Sequence, residues 1–227
     1  MTSVTEHAKK LGLTFSNPEL LQEALTHRSY LNEHKDVPAH NERLEFLGDA
    51  VLELSATQFL FNRFPQKPEG DLTAYRAALV NTNSLSETAE ALGFNDMLLL
   101  SRGERRDTGR ARQIILANAF EAVLGALYLD QGFEAVDAFL HTHLYPKLDA
   151  ILEKRAYQDP KSRFQEVAQE KKGITPTYKT LSEEGPDHDR VFTVGVYLKE
   201  EEVALGTGKS KQEAEQDAAQ KALDKAS

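Results

Sequence analysis

Apolar residues recur at helical spacing almost without interruption from Ser16 to about Asp149, and capping and breaking residues divide that stretch into several helices. Asn17-Pro18-Glu19 supplies a cap, a first-turn proline and an acid where a helix start favours one. The next helix runs from about Asn41 to Phe61. Its interior glycine, Gly48, costs about 1 kcal/mol against alanine and so points to a close neighbour. Phe64 to Gly70 (FPQKPEG) is a breaker, after which Asp71 is placed to cap a further helix that stops near Gly93. Ser101 to Arg112 is polar, basic and glycine-punctuated, which reads as a loop. It leads into an apolar helix from about Gln113 to Leu129, closed by Gln131-Gly132.

The period changes after Arg155. Asp159-Pro160 is an N-cap and first-turn proline opening a short amphipathic helix with Phe164, Val167 and Ala168 facing inward. Phe192, Val194, Val196 and Leu198 then alternate with Thr193, Gly195 and Tyr197, the pattern of a half-buried strand, with neighbours expected at 176–181 and 203–207. A last helix from about Ser210 carries Ala214, Ala218, Ala222 and Leu223 at helical spacing. The fold class expected is therefore two domains: an all-α domain over residues 1–155, then a small α+β domain of order α-β-β-β-α over 158–227.

Composition fits this division. A chain of 227 residues has room for two modest cores, and 40% hydrophobic with 28% charged residues is the composition of a globular protein. The absence of cysteine excludes disulfides and thiolate metal sites and makes the cytoplasm the expected compartment. The first fifteen residues lack a secretory h-region and no later stretch runs uncharged for a bilayer's thickness, so no membrane segment is expected. A net charge of −9 opposes bulk attraction to nucleic acid, yet a local basic stripe survives an acidic total, and clustered carboxylates are what a hard cation requires.

Two helices carry candidate chemistry. Glu42, Glu45 and Asp49 recur at i, i+3 and i+7, within an arc of roughly 60° on one face, with Leu44, Leu47 and Val51 opposite. Taken alone, that is an amphipathic helix showing acids to water. In QIILANAFEAVLGALYL the only charge is Glu121, with Asn118 three residues before it on the same face. A carboxylate in so apolar a helix must reach solvent, pair with a cation, take a proton or bind a metal. If the helices pack together, Glu45, Asp49, Glu121 and the Asn118 carbonyl converge as oxygen donors for an octahedral cation such as Mg²⁺. The alternative is an ion pair from Glu121 to Arg43 or Arg76, and the residues leave the two readings even. His27 reads as a packed or hydrogen-bonded side chain and His40 as a loop residue, while His141 and His143 point in different directions from one helix.

Residues 41–49, NERLEFLGD, resemble the signature of the ribonuclease III family. The resemblance extends over nearly the whole chain through Leu25-Thr26-His27-Arg28-Ser29, Glu69-Gly70-Asp71-Leu72 and the segment from Ile115 to Asp130. It implies a metal-dependent endonuclease that hydrolyses double-stranded RNA to 5′-phosphate and 3′-hydroxyl ends, in the processing of ribosomal and other RNA. It also implies a homodimer through the catalytic domain, with Phe46 packed into the partner subunit. By motif, Glu45, Asp49, Asn118 and Glu121 fall at the ligand positions for Mg²⁺, which Mn²⁺ can replace. Asp49 and Glu121 match the principal catalytic acids, and Glu42 and Glu69 match acidic positions near the scissile phosphate. The family usually has aspartate where Asn118 stands, which removes one ligand charge and opens an alternative, a catalytically impaired double-stranded-RNA-binding protein.

The second domain resembles a double-stranded-RNA-binding domain in its element order, in Gly185-Pro186-Asp187-His188 and in the segment from Gly206 to Lys211. The resemblance places Ser162, Gln165 and Glu166 against ribose 2′-hydroxyls and His188 in a neighbouring minor groove. Lys209, Ser210 and Lys211, at a helix start, then face phosphate. Two facts temper it: residues 158–227 hold 11 Lys+Arg against 14 Asp+Glu, and Gln212 stands where the family commonly repeats lysine.

Overall fold

The computed structural model describes residues 4–186 and 190–226 and divides into two compact units, Met1–Tyr157 and Gln158–Ser227. The first is helical: α1 (Val4–Lys10), α2 (Pro18–Ala24), α3 (Glu42–Arg63), α4 (Glu69–Leu79), α5 (Thr82–Ala91), α6 (Phe94–Met97), α7 (Arg110–Gln131), α8 (Phe133–His143) and α9 (Lys147–Glu153). Short 3₁₀ turns span Arg28–Asn32 and Glu104–Arg106. The expected cap at Asn17 is present, its side chain accepting the Glu19 N–H at 3.1 Å.

One expected helix is two. Asp71 does not cap; it lies in the first turn of α4, which starts from an extended Pro68, and it pairs with Lys67 at 3.1 Å. The chain breaks at Asn81, whose extended backbone and side-chain oxygen, accepting the Ser84 N–H at 2.9 Å, start α5 afresh. An asparagine N-cap inside a polar-apolar pattern does not disturb the period, so periodicity alone runs straight through it.

α7 is the axis of the core. Ile115 through Leu127 is buried apart from Asn118 and Glu121, and α3, with Leu44, Val51, Leu52 and Ala56 buried, packs most extensively on it. The close neighbour implied by Gly48 is α7 itself: a methyl group on Gly48 would lie 1.8 Å from the Glu121 carbonyl oxygen, and one on Gly125 would lie 2.2 Å from that of Leu44. Two glycines thus bring the helix backbones into contact. A buried polar knot ties α3 to α8, with Ser55 Oγ donating to Asp137 at 2.6 Å and lying 2.5 Å from the Tyr145 hydroxyl. Among the described residues α7 is the one helix long and apolar enough to cross a membrane by composition, and most of it is enclosed by its neighbours.

The second unit follows the expected order: α10 (Pro160–Lys172), β1 (Thr177–Glu184), β2 (Val191–Leu198), β3 (Glu201–Gly208) and α11 (Lys211–Ala226). Its antiparallel sheet has strand order β1-β2-β3, with Val194 opposite Thr180 and Gly206. Asp159 caps α10 by accepting the Ser162 N–H at 3.0 Å, and Phe164 and Ala168 pack with Val196, Ala218 and Ala222 in a separate core. Gly206 has a packing role that its place before a helix start did not suggest: a methyl group there would lie 2.1 Å from the Ala218 nitrogen, so β3 runs directly against α11.

Candidate active site and RNA-binding face

The glycine contact decides which side chains meet. Asp49 follows Gly48 on α3 and Glu45 precedes it by three, while Glu121 is the α7 residue whose own carbonyl touches Gly48. Glu121 is half-buried, and its carboxyl is pushed up to about 7, first by burial and then by the charges of Asp49, Glu45 and Glu53. Burial and the charge of Glu42 also raise Glu45, against a hydrogen bond from Asn118 that lowers it.

Neither arginine considered as a partner satisfies Glu121. Arg76 pairs with Glu53 at 2.9 Å and donates to Thr57 at 2.8 Å, and among the described residues no ion pair reaches Glu121. Glu53, one helical step beyond Asp49 on the same face, was absent from the sequence-derived set. The i, i+4, i+8 run of Glu45, Asp49 and Glu53 was the signal for it. Glu42 lies at the edge, paired with Arg28 at 3.1 Å, and Glu69 accepts a hydrogen bond from Thr73 at 2.8 Å without acting on Glu121. His27 caps the first 3₁₀ turn and accepts the Ser29 N–H at 3.3 Å, the packed role expected.

The donor set fits a hard divalent cation. Glu45, Asp49, Glu121 and the Asn118 carbonyl offer oxygen only, and the crowding of like charge is what such an ion would relieve. Among the described residues no three acidic or histidine side chains stand close enough together to enclose an ion.

Without metal, the raised Glu121 carboxyl costs stability whenever it ionises. Its folded value lies above the ordinary one, so burial favours the protonated form, and the stability present at low pH is lost as pH rises through about 7. In chelator at pH 8, Glu121→Gln is expected to melt above wild type, the advantage vanishing near pH 5. An equal difference at both pH values would show that ionisation is not its source.

On the second unit, Ser162, Gln165 and Glu166 share the exposed face of α10, and Lys209, Ser210 and Lys211 are exposed at the start of α11. His188 lies outside the described residues. A pairing across Ser210-x-x-Glu213 occupies part of the helix start: Ser210 Oγ accepts the Glu213 N–H at 3.1 Å, and Glu213 reaches back to accept the Lys209 N–H at 2.9 Å. The spacing was legible, but its consequence is that these two donors are already used.

A helical unit with facing oxygen donors, followed by an α-β-β-β-α unit with a lysine-bearing helix start, defines the class of nucleases that act on duplex RNA. Comparison with known proteins is specific. The Ribonuclease-III-like family model matches residues 17–148, and the double-stranded RNA binding motif matches 160–225. The chain is 47% identical to Ribonuclease 3 of Enterococcus faecalis, covering 96% of this chain and 95% of that protein. It is 49% identical to Ribonuclease 3 of Oceanobacillus iheyensis, covering 94% of each. The solved nuclease domain of Campylobacter jejuni ribonuclease III superimposes with a TM-score of 0.56 at 38% identity, over 62% of this chain and 94% of that one. The chain belongs to the ribonuclease III family. It is an endoribonuclease acting on double-stranded RNA, of a kind that depends on a divalent metal, and nothing found favours the impaired alternative.

Proposed function

We propose that Glu45, Asp49, Asn118 and Glu121 together hold the divalent cation, Mg²⁺ or Mn²⁺ in its place, at which this enzyme cuts duplex RNA. The observation that carries the reading is Glu121, half-buried, crowded by Asp49 and Glu45, and fixed by the backbone contact at Gly48. When bound, the cation supplies charge that offsets the negative charge building on the phosphate and makes water nucleophilic. Asp49 and Glu121 act from facing helices as the principal catalytic acids, Asn118 restrains Glu45 through their hydrogen bond, and Glu42 and Glu69 flank the scissile phosphate. Products carry 5′-phosphate and 3′-hydroxyl ends, and structured precursors of ribosomal and messenger RNA in the cytoplasm are the substrates.

The test is a metal titration of cleavage. Wild type is expected to cut a long duplex in Mg²⁺, and Asn118→Asp to shift the titration to lower Mg²⁺, since a restored carboxylate attracts a dication more strongly than an amide oxygen does. Superimposable curves would remove Asn118 from the ligand set, and a wild type inactive at every metal concentration would leave only RNA binding.

Binding is assigned to residues 158–227 through Ser162, Gln165 and Glu166 at ribose hydroxyls, His188 in the next minor groove, and Lys209, Ser210 and Lys211 at phosphate. The catalytic domain, 1–155, adds five arginines between Arg102 and Arg112. The working form is a homodimer through that domain: Phe46 is 82% exposed beside Glu45, and Leu54 and Phe61 extend the same apolar face of α3. The Campylobacter jejuni nuclease domain has a region involved in dimer formation. Sedimentation at micromolar concentration is expected to give twice the 25.4 kDa chain mass, and Phe46→Lys to give monomer. A monomeric wild type defeats the assignment.

A further inference from the structure

Between the start of α10 and the first turns of α11 lies an open polar cavity of about 580 Å³, lined by Ser162, Gln165, Tyr178, Gln212 and Glu215 among others. Two contacts cross it. Lys161 Nζ donates to Glu215 Oε2 at 2.5 Å and sits 4.8 Å above the ring of Tyr178. Asp159, which caps α10 with one carboxylate oxygen, accepts with the other a hydrogen bond from Gln216 Nε2 at 3.2 Å. These bridges stand next to the residues assigned to RNA: Ser162 follows Lys161 directly, and Lys211 lies one turn before Glu215 on α11.

The chemistry of the pair is unlike that of a phosphate contact. Lys161 is about two-thirds covered, and its charge is already matched by a carboxylate that is itself mostly covered. Tyr178 contributes its ring face, because its buried hydroxyl makes no hydrogen bond among the described residues. A cation spent in this way neutralises no RNA. It holds two helices at a fixed separation.

We propose that Lys161 and Glu215 are positioning residues for duplex RNA. Braced by Tyr178 and by the Asp159–Gln216 bond, the pair fixes the spacing between the α10 side chains at the ribose hydroxyls and the α11 start at the phosphates, so that both engage one duplex at once. An A-form duplex presents these groups at set distances, and a module that holds its contacts ready loses less freedom on binding. The inference rests on the RNA-binding reading given above and adds to it residues that touch no RNA.

Electrostatics alone makes the opposite prediction, because removing a carboxylate that faces a polyanion strengthens binding. The test measures affinity of the full-length protein for a short RNA duplex in chelator, where no cleavage occurs, over a range of salt. Glu215→Gln is expected to weaken binding by about fivefold or more while the slope of log affinity against log salt stays that of wild type. The charge-swapped double variant, Lys161→Glu with Glu215→Lys, is expected to recover most of the loss. Binding by Glu215→Gln that equals or exceeds wild type overturns the proposal, as does a salt slope reduced by about one in Lys161→Met, the mark of a phosphate contact. Should a single variant unfold the second unit, the swapped pair decides: refolding with recovered binding supports positioning, and refolding without it overturns positioning. A wild type that fails to bind duplex RNA refutes the RNA-binding reading instead.

Discussion

Replacing Glu121 by alanine is expected to reduce cleavage by ~10³-fold or more while leaving duplex affinity within about twofold, the pattern of a group that acts on the transition state rather than on binding. The side chain is half-buried on α7, its backbone is fixed against Gly48, and its carboxyl is held near 7 by burial and by Asp49, Glu45 and Glu53. Substrate affinity is assigned to another unit, so it should not follow. Single-turnover cleavage and a filter or mobility assay on the same preparation read the two quantities. Parallel loss of both would make Glu121 a structural residue. Glu121→Gln keeps the size and one oxygen donor, so any residual activity it shows above alanine measures what the charge contributes.

Gly48→Ala is expected to lower the melting temperature of the catalytic unit by roughly 10 °C or more, from an overpacking cost of about 3 kcal/mol or more. The sign is the informative part. Alanine is the better helix former by about 1 kcal/mol, so an isolated α3 would gain from the change. In the fold the new methyl group meets the Glu121 carbonyl at 1.8 Å, backbone that cannot turn aside, and α3 and α7 must separate. Separation also pulls Asp49 from Glu121, so activity should fall with stability. Gly70→Ala is the control: nothing lies within 4 Å of its added methyl group in α4, and it should leave melting unchanged or slightly raised. Equal effects at both glycines would refute the close-contact account.

The facing helices were legible because an acid in an apolar run is energetically conspicuous, and Gly48 advertised the contact that joins them. Asp159, Asn17 and the alternating run from Phe192 to Leu198 located their elements because each acts through its nearest neighbours in sequence. What escaped depends on distance along the chain. Whether Arg76 meets Glu121 or Glu53 is settled by the placement of α4 on α3, and no periodicity encodes it. Gly206 reads as turn punctuation until Ala218, twelve residues on, is brought against it. The bridge from Lys161 to Glu215 spans 54 residues and joins two charges that each look like ordinary solvated side chains.

α7 also has a consequence for how the protein is made. Until the ribosome has released residues 110–131, α3 lacks its most extensive packing partner, and the constellation around Glu121 does not exist. That segment is long and apolar enough to cross a membrane by composition, and it emerges needing partners on α3 synthesised some fifty residues earlier and others on α8 synthesised just after it. Synthesis that stalls short of α7 therefore yields a chain lacking that packing and the chemistry together, and one that pauses just after it yields a sticky apolar helix that must dock at once. The site around Glu121 is in this sense assembled late, so a half-finished chain is a case for chaperones and proteases rather than a source of stray RNA cleavage.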